Sequence, residues 1–163
     1  VAVLARLLWV LRRMTRLLSI DPGGKGGDTG IVLLEYNVKT LPKMVESWAV
    51  GDGLDGFRKW LEIYWLVAFA DVHIVETFVH FKNIQIETTP ILIEGAVRFK
   101  WPDTILSPAS GKNTAVPDDV LKRLGLYIAG DHHRDRLEAV RHAIRYLKNQ
   151  RHIPTLKAGW PQD

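Results

Sequence analysis

Two short apolar runs on either side of a glycine-rich turn are the strongest constraint on how this chain can fold. Residues 16–20 (Arg16, Leu17, Leu18, Ser19, Ile20) read as a strand that stops at Asp21, Pro22, Gly23 and Gly24. Four glycines and Asp28 then form a turn. Residues 31–36 are a second strand pattern, and residues 43–50 alternate well enough for a third. Three consecutive antiparallel strands are the expected result. Such a sheet has two faces to cover, and the rest of the chain must supply the covering.

That remainder alternates between helix and strand patterns. Phe57, Leu61, Tyr64, Trp65 and Ala68 recur at helical spacing, which predicts a helix over 54–70. Residues 72–76 are a short buried strand ending in Glu76. A second helix is expected over 84–98, a strand over 103–107, and a short helix over 117–124. The last helix is the clearest: Asp131 suits an N-cap, and Leu137, Val140, Ile144 and Leu147 form one apolar stripe. The order β-β-β-α-β-α-β-α-α implies an α/β fold. Its sheet is mixed, three antiparallel strands and then parallel ones, with helices on both faces.

Composition narrows the chemistry. The 163 residues contain no cysteine, so disulfide scaffolds, thiolate metal sites and thiol nucleophiles are excluded. No apolar run approaches the ~20 residues of a membrane span. With six histidines and no HExxH, zinc catalysis is not indicated. Neither Ser107 nor Ser110 sits in a nucleophile-elbow motif. The glycine cluster lacks both the GxxxxGK[ST] and the GxGxxG spacing, and a strand follows it where a phosphate loop needs a helix.

The net charge of +4 is unevenly spread. Residues 1–13 carry Arg6, Arg12 and Arg13 and no acid; we expect them to be an extension ahead of a core spanning 14–152, with 153–163 as a C-terminal tail. Between Arg134 and Lys157 lie seven basic and two acidic residues, a balance of +5 that suits a phosphate backbone. The ordinary alternative is a solvated helix face laced by pairs such as Glu138 with Arg141 or Arg145.

Three acids fall at the ends of buried elements: Asp21 closes the first strand, Glu76 the fourth, and Asp135 opens the last helix with His132 one turn before it. Each has an ordinary role available, as turn former, exposed strand end, dipole partner or surface histidine. Together they are a hard-ligand set for divalent cations. Two such ions about 3.5–4 Å apart would neutralise the cluster and support phosphodiester hydrolysis. Lys112 lies in a glycine-containing loop suited to a phosphate backbone. Phe78 and Phe81, just past Glu76, could stack on unpaired bases.

These residues resemble RuvC-type Holliday-junction resolvases, most closely the short phage-encoded versions. The resemblance rests on Ile20-Asp21-Pro22-Gly23 with Thr29-Gly30, on Ile74-Val75-Glu76, and on His132-His133-Arg134-Asp135 followed by Ala139 and Ala143. It covers residues 14–150. It implies an RNase H-like fold, a homodimer, and nicking of branched DNA (four-way junctions, forks or flaps) with Mg2+, or with Mn2+ in its place, two ions per site. It implies Asp21, Glu76, His132 and Asp135 as catalytic metal ligands, with Asp131 competing with His132. It places Lys112 in a DNA-contacting loop; Arg134 and Arg136 of the basic stretch and Phe78 after Glu76 are the further candidate DNA contacts read from the residues themselves. The family's wedge residue stands three positions after the strand-end glutamate, whereas Phe78 stands at two. A cytoplasmic setting, bacterial or in a phage-infected host, goes with this reading. Two readings of other classes stay open: a branched or single-stranded nucleic-acid-binding module that cuts poorly, and an ATP-binding protein of the actin-like superfamily.

Overall fold

The computed structural model describes residues 13–24, 26–66, 68–78, 87–130 and 134–161. Five strands form one sheet: β1 (Thr15–Asp21), β2 (Thr29–Asn37), β3 (Thr40–Val50), β4 (Val72–Thr77) and β5 (Ile105–Pro108). Their order across the sheet is β3-β2-β1-β4-β5. The β1–β2 and β2–β3 pairs are antiparallel, while β1–β4 and β4–β5 are parallel. This is the mixed α/β sheet expected from the element order.

Period-two alternation splits the strands between two cores. Leu18 and Ile20 of β1, Ile31 and Leu33 of β2, and Val75 of β4 face one layer. Helices α1 (Gly53–Tyr64) and α2 (Thr89–Lys100) cover it, with Phe57, Trp60, Ile93 and Val97 as the main contributors. Leu17, Val32, Leu34 and Ile74 face the other layer. That side is covered by α3 (Lys112–Ala115), α4 (Asp118–Arg123), α5 (Asp135–Asn149) and α6 (Ile153–Gly159). Ser19, Asp21 and Glu76 share the parity of Leu17 and Ile74, so they point toward α5.

Several boundaries differ from expectation for identifiable reasons. Helix α1 ends at Tyr64, short of Ala70, because the chain bends there and sends Ala68 and Ala70 into the core. Helix α2 starts at Thr89, with Pro90 at its first turn. Residues 79–86 lie outside the described residues, and the stacking expected of Phe81 falls among them. Lys112 opens a short helix, α3, preceded by Gly111 at φ 73°, a conformation glycine adopts without strain. Helix α5 begins at Asp135 after a left-handed Arg134, not at a cap on Asp131, which is outside the described residues. Residues expected as a tail instead carry α6. Thr155 and Gly159 are buried, and Arg123 donates to the Gly159 carbonyl at 2.8 and 3.1 Å. His152, just before α6, donates from Nε2 to the Asn37 carbonyl, and its Nδ1 shares a hydrogen bond with Thr155 Oγ1, both at 2.7 Å. Residues 1–12 are outside the described set. No described helix is long and apolar enough to cross a membrane.

Candidate metal centre

Strand register places the site. Ser19 pairs with Ile74 and Ile20 with Val75 in the parallel β1–β4 ladder. One step further, Asp21 and Glu76 stand at adjacent strand ends, at the carboxyl edge of the sheet. Helix α5 crosses above them. Its start is let in close by Gly30, where a side chain would fall 1.9 Å from the Asp135 carbonyl oxygen. From that start, Glu138 and His142 follow Asp135 at spacings of three and four, on one helical face.

Asp21, Glu76 and His142 each offer a ligand atom, all within 4.8 Å of one another, and all three are buried. His142 Nε2 lies 2.7 Å from Glu76 Oε2 and 3.7 Å from Asp21 Oδ1. Lys112 closes the group from the loop side. Its ammonium donates to Glu76 Oε2 at 2.5 Å and Asp21 Oδ1 at 3.2 Å, and pairs with Glu138 Oε2 at 3.2 Å.

The charges are strongly coupled. Burial, reinforced by the Glu76 charge, pushes Asp21 above its ordinary range. Glu76 is buried too, but hydrogen bonds from His142 and Lys112 outweigh that and hold it down, at about 2. His142 would be lowered by burial, yet its bonds to Asp21 and Glu76 raise it. Lys112 likewise is raised against its burial, by the two carboxylates.

The donor set fits a hard divalent cation. It is rich in oxygen, with one imidazole and no thiolate. A cationic group, the Lys112 ammonium, already lies at the focus of three carboxylates. Glu138 Oε2 is buried without a hydrogen bond and faces that ammonium through its ion pair.

Asp21, Glu76 and Lys112, chosen from sequence, are thus brought together. His132 lies outside the described residues. Asp135 is half-buried at the start of α5, two turns from His142. Phe78 follows β4 directly and is half-buried, Arg136 is half-buried, and Arg134 is exposed and paired with Asp118 at 2.9 Å. His142 and Glu138, which join Asp21, Glu76 and Lys112, were not among the site residues chosen from sequence. The spacing Asp135-Glu138-His142 was the available signal, overshadowed by the apolar stripe on the same helix.

Part of the basic stretch of α5 is engaged within the chain, and the Glu138–Arg141 pair of the ordinary alternative is present at 3.2 Å. Arg141 is 1 % exposed and donates to the Val116 carbonyl, Asp118 and Glu138. Arg145 donates to the Pro108 and Ser110 carbonyls, and Lys148 lies 4.4 Å over the Trp160 ring. These cations hold the loops around α3 and the C-terminal segment in place.

No family model matches the sequence, and a search of curated proteins finds no match. Solved structures do match in shape. Thermus thermophilus RuvC in complex with a Holliday junction substrate superposes with a TM-score of 0.56 at 12% identity, over 84% of this chain and 97% of that one. The chain has the fold of a RuvC-type resolvase. A second Thermus thermophilus RuvC structure gives 0.56 at 14% identity, over 83% and 96% of the two chains. The fowlpox virus Holliday junction resolvase gives 0.54 at 12% identity, over 82% and 99%. The match spans nearly the full length of those chains.

Proposed function

We propose that the protein is a divalent-metal-dependent endonuclease that nicks branched DNA and resolves four-way junctions. The observation that carries this is the buried Asp21–Glu76–His142 group on a RuvC-type fold, with Glu138 and Lys112 against it. Asp21, Glu76, Glu138 and His142 would hold the metal. Asp135, one turn before Glu138 on the same face, would add a fourth carboxylate. Four carboxylates match two divalent ions in charge; Mg2+ is the natural occupant and Mn2+ a substitute. His132 stays a further candidate ligand.

Bound cations would polarise the scissile phosphate and make an attacking water acidic. The chain's own residues do the rest. Asp21 and Glu76, fixed by strand pairing, set the position of the reacting phosphate. Lys112 leaves the carboxylates and meets a backbone phosphate, with Arg134, Arg136 and Phe78 as further DNA contacts. No serine or cysteine is needed as nucleophile, so the product forms without a covalent protein intermediate.

A homodimer would set two sites on opposing strands. The α1–α2 layer supports it: Ile63, Trp65, Leu66, Phe69, Leu92 and Phe99 are exposed, Phe99 at 90 %. The Lys100 ammonium lies 5.8 Å from the Trp65 ring, so the two helices' ends adjoin. An apolar surface of this kind is a common mark of an interface. Light scattering on the protein and on Phe99→Asp tests the assembly. The setting we infer is the cytoplasm of a bacterium or phage-infected host.

The deciding experiment is cleavage of a labelled four-way junction, beside fork, flap, single-stranded and duplex DNA. Asp21→Asn with Glu76→Gln should reduce nicking by at least 10²–10³-fold, on the order of losing one strong electrostatic contact, while leaving junction binding. Undiminished cleavage would sink the proposal. A second reading, a branched-DNA binder that cuts poorly, is favoured by Lys112 filling the cation position. Binding in EDTA with no nick on adding Mg2+ would select it.

A further inference from the structure

Glu76 and Ser107 are register partners in the parallel β4–β5 pair, so both side chains face α5. His142 descends across this pair. Its Nε2 meets Glu76 Oε2 at 2.7 Å, and its Nδ1 meets Ser107 Oγ at 2.7 Å. The imidazole has no exposed surface, and Ser107 is 8 % exposed. Ser107 is therefore no nucleophile: it lies within a strand, almost out of reach of any substrate.

A buried imidazole must have both nitrogens satisfied. Facing an ionised carboxylate, which only accepts, a neutral His142 must carry its hydrogen on Nε2. Nδ1 is then an acceptor and needs a donor. To ligate a cation through Nε2, the ring must offer a lone pair there instead, and its hydrogen must sit on Nδ1. Nδ1 then needs an acceptor. A backbone carbonyl or amide at this place would permit one arrangement only. A hydroxyl can rotate and serve both.

We propose that Ser107 is a positioning residue for His142: it holds the ring edge-on to Asp21 and Glu76, and reverses its hydrogen bond when His142 turns from donor to metal ligand. In that change one proton leaves Nε2 and one is taken up at Nδ1, both exchanged with water, so the ring's charge is conserved. The inference rests on the metal-site reading above and assigns that site a residue outside its ligand set. The hydroxyl acts through the imidazole and touches neither metal nor DNA.

The test uses the full-length protein without DNA. Imidazole 15N shifts of His142 are read with and without Mg2+, and Mn2+ affinity is measured by electron paramagnetic resonance. In the wild type, at a pH alkaline enough to keep the ring neutral despite its raised pKa, Mg2+ should move the ring hydrogen from Nε2 to Nδ1. Ser107→Ala should weaken Mn2+ binding about tenfold or more, in line with other residues that orient metal ligands, and should shift the His142 nitrogens in the metal-free state. Ser107→Thr, which keeps the hydroxyl, should restore both, and Ser107→Cys provides a second variant of similar shape if alanine does not fold. A folded Ser107→Ala with wild-type Mn2+ affinity and unchanged 15N shifts overturns the proposal. A wild type that binds no Mn2+ overturns the metal-site reading itself, which is a separate result.

Discussion

The Lys112 ammonium lies 2.5 Å from Glu76 Oε2, although 36 residues separate them in the chain. It also pairs with Asp21 and Glu138, so one side chain compensates two buried carboxylates and a half-buried one. A cation bound at the proposed site would therefore compete with the lysine for one position. In EDTA, Lys112→Met should lose stability by about 3–5 kcal/mol, as when one partner of a buried ion pair is removed. Mg2+ should then raise its melting temperature more than that of the wild type. Equal Mg2+ shifts in the two proteins would show that the ammonium and the cation do not share a place.

Arg141 ties the same region together from below. It is a buried cation whose bonds run to Val116, Asp118 and Glu138, which joins α5 to the segment carrying Lys112. Arg141→Leu should cost about 3–5 kcal/mol in urea unfolding. Amide exchange should rise across residues 112–118. Unchanged protection there would mean that the segment is held by other contacts.

Gly30 sets how closely α5 approaches the sheet. A Cβ at this position would fall 1.9 Å from the Asp135 oxygen and 2.7 Å from the Arg136 nitrogen, both backbone atoms. Gly30→Ala should therefore push the start of α5 away, at a cost of about 1–3 kcal/mol for overpacking. It should weaken Mn2+ binding at the same time, because Glu138 moves with the helix. Loss of stability with intact Mn2+ affinity would separate the helix start from the site.

His73 predicts acid sensitivity away from the site. It stacks on Trp101 with ring centroids 4.4 Å apart, and its Nε2 is buried without a partner. Burial lowers its pKa to about 4, against a smaller upward pull from Asp71. The unfolded chain then binds a proton between pH 6.5 and 4 that the folded chain refuses. Stability is present above the unfolded pKa and is lost as pH falls through this window, by up to roughly 3 kcal/mol. His73→Phe keeps a ring against Trp101 and should flatten that part of the stability–pH curve. Identical curves for the two proteins would contradict this assignment.

Asp21 and Glu76 were readable in the sequence because each ends an apolar strand. A carboxylate closing a buried run has few places to go other than the rim of the sheet. Lys112 was readable as a cation in a glycine-containing loop, though not as a counter-ion. His142 and Glu138 were not readable as partners of these acids. They sit on an amphipathic helix whose apolar stripe explains its pattern without them, and Arg141 beside them reads as one more surface charge.

Local alternation of apolar and polar residues thus determined the elements, their order and the mixed sheet, because period and turn chemistry act between near neighbours. What only the tertiary structure decided is which side chains meet. The register of β1 on β4 brings Asp21 to Glu76, and that of β4 on β5 brings Glu76 to Ser107. The rotation of α5, set by packing against Gly30 and the core, aims Glu138 and His142 at them. Those distances come from packing between segments far apart in the chain. For the same reason Arg141 turned inward: the Val116 carbonyl and the Asp118 and Glu138 carboxylates accept from it, and only the folded chain places them within reach.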